Sequence, residues 1–153
     1  MMTIKTLFVG LALFVLVNPL RAQADITASP VALLFGGLLV SAEVPLGSDW
    51  GLEANAFAAV GVGAFWVSGK YYFNPKQGID GFHVGAFVGG GSEGIGFGPG
   101  FLLGYKVASV KGLVFNAGLG VGRNLGDGNP IPYFSLNLGY RFGDREKVKP
   151  VRE

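Results

Sequence analysis

Apolar and polar positions alternate strictly along the last apolar stretch of the chain, residues 133–142. Large apolar side chains occupy every second position from Phe134 to Phe142, and the positions between them hold small or polar residues such as Ser135, Asn137 and Arg141. Successive side chains of a β-strand point to opposite faces. The pattern therefore predicts a strand with one apolar face and one polar or small face.

The same alternation recurs along most of the chain, with turn residues between the segments. Strands are predicted over residues 38–44, 50–58, 65–73, 82–88, 95–107, 113–121 and 133–142, separated by turns at 45–49, 60–63, 74–81, 89–94, 108–112 and 122–132. Repeated two-faced strands rich in glycine and aromatic residues are typical of a β-barrel in an outer membrane, whose apolar face meets lipid.

Seven strands conflict with the even strand number of single-chain bacterial barrels. We therefore expect an eighth strand over residues 26–34, turning at 35–37, with Pro30 near a strand start or a bulge. The alternative is one long bulged strand over residues 31–44. The predicted fold is all-β, an antiparallel up-and-down transmembrane β-barrel of eight strands spanning residues 25–142. Four short turns would lie on the outer side of the membrane, at residues 35–37, 60–63, 89–94 and 122–132.

The two ends of the chain differ from this pattern. Lys5, an apolar run over residues 6–17 and an A-x-A site at 22–24 predict a signal peptide over residues 1–24, and the run is too short for the roughly 20 residues of a membrane-spanning helix. Without that segment the basic and acidic residues balance at ten each, so the net charge gives no indication of nucleic-acid binding. Residues 143–153 are predicted to form a disordered periplasmic tail.

The lumen of an eight-stranded barrel is narrow enough for side chains to fill it. We expect opposite charges there to pair, with Glu43 and Glu53 linked to Lys70, Lys106 and Arg141, because an isolated buried charge is costly. A structural plug is favoured over a proton or ion path. The predicted polar lumen network comprises Glu43, Glu53, Lys70, His83, Lys106, Asn116, Asn137 and Arg141.

Seven aromatic residues lie near predicted strand ends, where amphipathic rings favour the headgroup boundary of a bilayer. Ordinary core packing is the alternative. These predicted membrane-interface aromatics are Trp50, Tyr71, Phe73, Tyr105, Tyr133, Tyr140 and Phe142.

Two short segments carry a resemblance to a known family: Tyr-Tyr-Phe-Asn-Pro at residues 71–75 and Tyr-Arg-Phe at 140–142. With them the chain resembles the small eight-stranded outer-membrane barrels of the OmpA/OmpX type, including uncharacterised small barrels. The resemblance implies a monomer in the bacterial outer membrane, with lipid and the barrel-assembly machinery as partners. Tyr140 and Phe142 would be the assembly signal, although a tail follows them here.

The expected function is a non-enzymatic structural or envelope-maintenance role, with a small pore or transporter as the alternative. A lipid A-modifying enzyme is less favoured, because the deacylase pattern places a serine two residues after its histidine, and Gly85 stands there after His83. The glycine-rich residues 89–100 lack the helix and Lys-Ser/Thr pair of a nucleotide loop. We expect no cofactor, no metal and no nucleic acid. A soluble barrel with its apolar faces turned inward around a ligand would be a fourth possibility.

Overall fold

The computed structural model describes residues 23–92 and 94–143 and shows eight β-strands and one short helix in that part of the chain. The elements are β1 Ala24–Ala28, α1 Pro30–Leu34, β2 Leu38–Pro45, β3 Trp50–Ala59, β4 Val62–Tyr72, β5 Gly81–Gly91, β6 Phe97–Ala108, β7 Leu113–Arg123 and β8 Pro130–Phe142. Residues 1–22 of the predicted signal peptide and residues 144–153 of the predicted tail lie outside the described residues. Within those residues, no helix is both long and apolar enough to cross a membrane.

The eight strands form a closed barrel. Each strand pairs antiparallel with the next in sequence, and β1 also pairs antiparallel with β8. The prediction of an all-β, antiparallel up-and-down barrel with eight strands is confirmed. Closure leaves no strand with an unpaired edge, so backbone hydrogen-bonding groups along the wall are satisfied between strands.

The N-terminal strand is shorter than predicted. It ends at Ala28, and residues 30–34 form the single turn of α1. The Ser29 side chain accepts a hydrogen bond from the backbone N–H of Ala32 at 3.3 Å, and Pro30 occupies the first helical turn, where its missing N–H costs nothing. The alternative of one bulged strand over residues 31–44 is wrong, because β1 and β2 pair as separate strands with Ala28 opposite Val40.

Burial follows the predicted alternation. The distribution of residues is inverted relative to that of a soluble protein, with apolar side chains outside and charged side chains inside. In β6, exposed and buried positions alternate without a break over its twelve residues. Among the described residues, thirty large apolar side chains are exposed and only eight hydrophobic residues are buried. The apolar surface of the barrel therefore faces outward.

The barrel has two distinct ends. We call the end with residues 23 and 143 and the turns after β2, β4 and β6 the termini end, and the opposite one, with α1 and the turns after β3, β5 and β7, the helix end. Glycines on the inner face make space for larger neighbours. A Cβ on Gly104, for example, would lie 2.7 Å from Nε2 of His83, so a side chain at this position would displace the imidazole.

Candidate functional site in the barrel interior

Six charged residues converge inside the barrel near the termini end, each on a different strand. Their exposed fractions range from 0 to 7%. Three are acidic and three are basic, so their formal charges cancel. We call this set the charge network: Asp25 on β1, Glu43 on β2, Glu53 on β3, Lys70 on β4, Lys106 on β6 and Arg141 on β8.

The two lysines of the charge network each bridge two carboxylates. The ammonium nitrogen of Lys70 lies 2.5 Å from Oε2 of Glu53 and 3.6 Å from Oε2 of Glu43. The ammonium nitrogen of Lys106 lies 2.6 Å from Oε2 of Glu43 and 2.5 Å from Oδ2 of Asp25. Acids and bases thus alternate across the lumen.

Arg141 completes the chain of charges at the other side. Its Nε donates to Oδ1 of Asp25 at 2.6 Å and its Nη2 donates to Oδ2 at 2.8 Å, a bidentate arrangement that fixes both groups. The charges therefore run Glu53, Lys70, Glu43, Lys106, Asp25, Arg141. Every member contacts at least one group of opposite sign, which offsets the cost of removing these charges from water.

Neutral polar groups satisfy further atoms of the carboxylates. The Tyr72 hydroxyl donates to Oε1 of Glu43 at 2.6 Å, and Nδ2 of Asn55 donates to Oε1 of Glu53 at 2.8 Å. The Ser41 hydroxyl donates to Oδ1 of Asn55 at 2.6 Å. These contacts fix the rotamers of the charged side chains and add further links among β2, β3 and β4.

The loop between β4 and β5 closes the termini end. Nη2 of Arg141 donates to the carbonyl oxygen of Ile79 at 3.0 Å, Nη1 donates to the carbonyl oxygen of Gln77, and the Ile79 side chain is buried. Within the loop, Oδ1 of Asp80 accepts from the backbone N–H of Lys76 at 2.6 Å. Arg141 thus links the charge network to the segment that covers the lumen.

A different layer fills the lumen toward the helix end. Phe87, Leu102 and Tyr133 form a buried cluster against which Trp66 packs. The rings of Phe87 and Tyr133 stack with centroids 5.2 Å apart, and Trp66 meets Tyr133 edge-on at 6.0 Å. We call these four residues the aromatic layer. Together with the charge network it occupies both halves of the interior.

All eight side chains of the predicted lumen network are buried inside the barrel. Five belong to the charge network, and Nδ2 of Asn137 donates to Oγ of Ser41 at 3.2 Å. His83 lies against the Tyr72 ring with centroids 4.9 Å apart, and neither its Nδ1 nor Oδ1 of Asn116 has a hydrogen-bond partner among the described residues. The prediction implied that Arg141 pairs directly with Glu43 or Glu53. Arg141 instead pairs with Asp25, and Lys106 connects Asp25 to Glu43.

Asp25 is the principal residue that the sequence interpretation missed. The predicted cleavage site at residues 22–24 directly precedes Asp25, and the strand predicted over residues 26–34 does not include it. A usable signal was present in Ile26 and Ala28, whose outward-facing side chains place Asp25 and Thr27 on the inner face.

Six of the seven predicted interface aromatics lie on the outer side of the barrel at its termini end. Edge-on ring contacts connect several of them, with Tyr71 5.2 Å from Trp50 and 5.0 Å from Phe73. Tyr105, Tyr140 and Phe142 are also exposed there. The prediction for Tyr133 is wrong, because this side chain is only 7% exposed and belongs to the aromatic layer. Tyr133 lies two residues before Ser135 in β8, so both side chains point inward.

No group of three or more His, Cys, Asp or Glu side chains in the described part of the chain is arranged to hold a metal ion. Comparison with protein-family models, with curated proteins and with solved structures finds no match to this chain. The ion pairs described above make the charge network a neutral, internally paired set of fixed charges.

Proposed function

We propose that the protein is a non-enzymatic β-barrel of the bacterial outer membrane with a side-chain-filled lumen and a structural or envelope-maintenance role. The observation that carries the proposal is the inverted distribution of residues, with an apolar outer wall and paired charges inside. Soluble monomers rarely expose contiguous apolar patches beyond a few hundred Å². A lipid bilayer would cover this wall without any partner protein.

Strand lengths and outer-face composition support a membrane location. Strands β3 to β8 have ten to thirteen residues, and a tilted strand needs about 9–11 to cross the hydrocarbon core. Among the outward positions of the eight strands, Arg123 carries the only charge, and it is the last residue of β7. The exposed Trp50, Tyr105 and Tyr140 at the termini end suit a headgroup boundary.

The packed interior supports a structural role over transport. An ion that entered from the termini end would have to displace Arg141 from Asp25 or separate the lysines from their carboxylates. Breaking one buried pair costs about 3–5 kcal/mol. His83, the only histidine, is 1% exposed and lies inside, away from any lipid-facing rim, which supports the non-enzymatic assignment.

A small pore is the second candidate, because some buried polar atoms inside the barrel have no hydrogen-bond partner among the described residues. They include Oδ1 of Asn116 and Oδ1 of Asn137. Such atoms commonly bind water. If the aromatic layer opened, water bound at these groups would form part of a path through the lumen.

Membrane fractionation and planar-bilayer recording test the two candidates. We expect the full chain expressed in a Gram-negative host to partition with outer membranes and to need detergent for extraction. Recovery of folded protein in the aqueous fraction would contradict the membrane proposal. In planar bilayers we expect no stable unit current, and a persistent current from the wild-type protein would favour the pore.

Folded gel mobility tests the structural role of the interior. Glu53→Gln removes one of the charges that neutralise Lys70, so we expect this variant to lose its compact, heat-resistant band at a lower temperature than the wild type. An unchanged transition would count against a structural role for the charge network.

The assembly machinery is proposed to recognise β8 through Tyr140 and Phe142, both exposed at the termini end of the last strand.

A further inference from the structure

A groove on the outer wall lies near the helix end, across strands β5, β6 and β7. It has a volume of about 440 Å³, and its side walls include Phe101 and Val121, with small Ala86 in the same row. Gly100 and Gly122 leave backbone at its floor. Phe101 is 76% exposed and forms the most prominent wall. The groove is therefore an apolar recess in the apolar outer surface of the barrel.

Arg123 lines the helix-end side of this groove. It is the last residue of β7, opposite Pro130, the first residue of β8. Its guanidinium group lies beside the turn that follows, since a Cβ on Gly128 would lie 3.3 Å from Nη2. The cation is thus held at the boundary between the apolar wall and a polar turn.

No carboxylate among the described residues forms an ion pair with Arg123. The nearest acidic residue in the following turn, Asp127, accepts hydrogen bonds from the backbone N–H of Asn129 at 3.0 Å and from its side-chain amide at 2.8 Å. Arg123 therefore differs from the three basic residues of the charge network, whose charges are neutralised inside the barrel.

We propose that the groove binds an anionic, phosphate-bearing lipid, with one acyl chain along Ala86, Phe101 and Val121 and the phosphate against Arg123. This inference rests on the proposed membrane location. An apolar recess takes up an acyl chain by the hydrophobic effect and close packing. Guanidinium is the side-chain group best suited to bidentate contact with phosphate. The apolar recess lies toward the middle of the barrel wall, and Arg123 lies nearer the helix end. A phospholipid in a bilayer places its acyl chain and its phosphate in the same order.

Native mass spectrometry of the full chain in detergent micelles tests the proposal, with phosphatidylglycerol and phosphatidylcholine titrated separately. We expect the first phosphatidylglycerol to bind roughly tenfold more tightly than the first phosphatidylcholine. Both lipids carry a phosphate, but the choline cation of phosphatidylcholine offsets the attraction of that phosphate to Arg123. Arg123→Gln should remove the preference. The matched charge control, Lys76→Gln, alters an exposed basic residue at the opposite end of the barrel and should keep it.

A second pair of variants tests the groove without changing charge. Ala86→Leu places a larger side chain in the groove and should weaken binding of both lipids several-fold. Ala56→Leu makes the same change at an exposed, outward position of β3 and should have no such effect. Both positions face outward, so neither substitution alters the packed lumen.

Four results would overturn the inference. Equal affinity of the wild type for the two lipids would exclude recognition by Arg123, and equal losses in the control variants would exclude the groove. A dimer lost in Ala86→Leu but not in Ala56→Leu would assign the groove to a second copy of the chain. Failure of the folded protein to insert into phosphatidylcholine vesicles would instead contradict the proposed membrane location, and the lipid site with it.

Discussion

Removal of Lys106 is the most informative perturbation of the charge network. Its ammonium nitrogen lies within 2.6 Å of two carboxylates, those of Asp25 and Glu43, and all three side chains are almost fully buried. Lys106→Met keeps much of the aliphatic volume but leaves the interior with one negative charge in excess. The excess negative charge must then either be removed by protonation of a carboxylate or be hydrated inside the lumen.

The magnitude follows from the contacts that remain. Asp25 retains its bidentate contact with Arg141, and Glu43 retains Lys70 at 3.6 Å. Because neither carboxylate is left without a partner, we expect the lower end of the range for a broken buried pair, a loss of about 3 kcal/mol in the free energy of unfolding. Glu43→Gln, which leaves one positive charge in excess, should cost a similar amount.

A double-mutant cycle separates charge balance from general disruption. Lys106→Met combined with Glu43→Gln restores a neutral interior, so we expect the double variant to lose about 3–4 kcal/mol rather than the sum of the single losses. The assay is reversible urea unfolding in phosphatidylcholine vesicles, followed by tryptophan fluorescence. Lys76→Met, at an exposed loop position, is the control and should stay within about 0.5 kcal/mol of the wild type. Additive losses, or a Lys106→Met variant as stable as the control, would refute the reasoning.

Two further pairs of substitutions test interior packing and hydrogen bonding by the same unfolding assay. Gly100→Ala should destabilise the barrel by about 1–3 kcal/mol, because the new methyl group would collide with the Phe87 ring, whereas Gly69→Ala, where a Cβ meets no atom within 4 Å, should be tolerated; equal effects would contradict this packing. Tyr72→Phe should cost about 1.5–3 kcal/mol, because its hydroxyl donates to a buried carboxylate at 2.6 Å. Tyr133→Phe should cost less, about 1 kcal/mol, because the groups beside its hydroxyl, those of Ser135 and Trp66, are neutral. The reverse order would be inconsistent with the interior described above.

Strand parity made much of the fold and the interior predictable. Once a strand is identified, a period of two fixes the side of every residue in it, so Lys70, Lys106 and Arg141 could be placed inside from neighbouring apolar residues alone. Strand number followed from closure, because a seven-stranded antiparallel chain would place the termini at opposite ends. These features depend on local periodicity and a single global constraint.

The remaining details depend on interactions that periodicity does not encode. The turn of α1 is too short to show a helical repeat, and it forms because Ser29 caps it and Pro30 is compatible with its first position. The pairing of Asp25 with Arg141 depends on the register between the first and last strands, which no local pattern specifies. Tyr133 lies inside because parity, rather than proximity to a strand end, decides the direction of its side chain.

The central claim, that lipid covers the outer wall of this barrel, is tested most directly by spin-label accessibility. The chain contains no cysteine, so a single Leu103→Cys variant carries one label in the middle of β6, and Lys76→Cys carries one in an exposed loop. In phosphatidylcholine vesicles we predict that the label at 103 is accessible to oxygen and protected from a water-soluble nickel chelate, with the reverse at 76. A label at 103 that the chelate reaches as readily as the label at 76 would contradict the account.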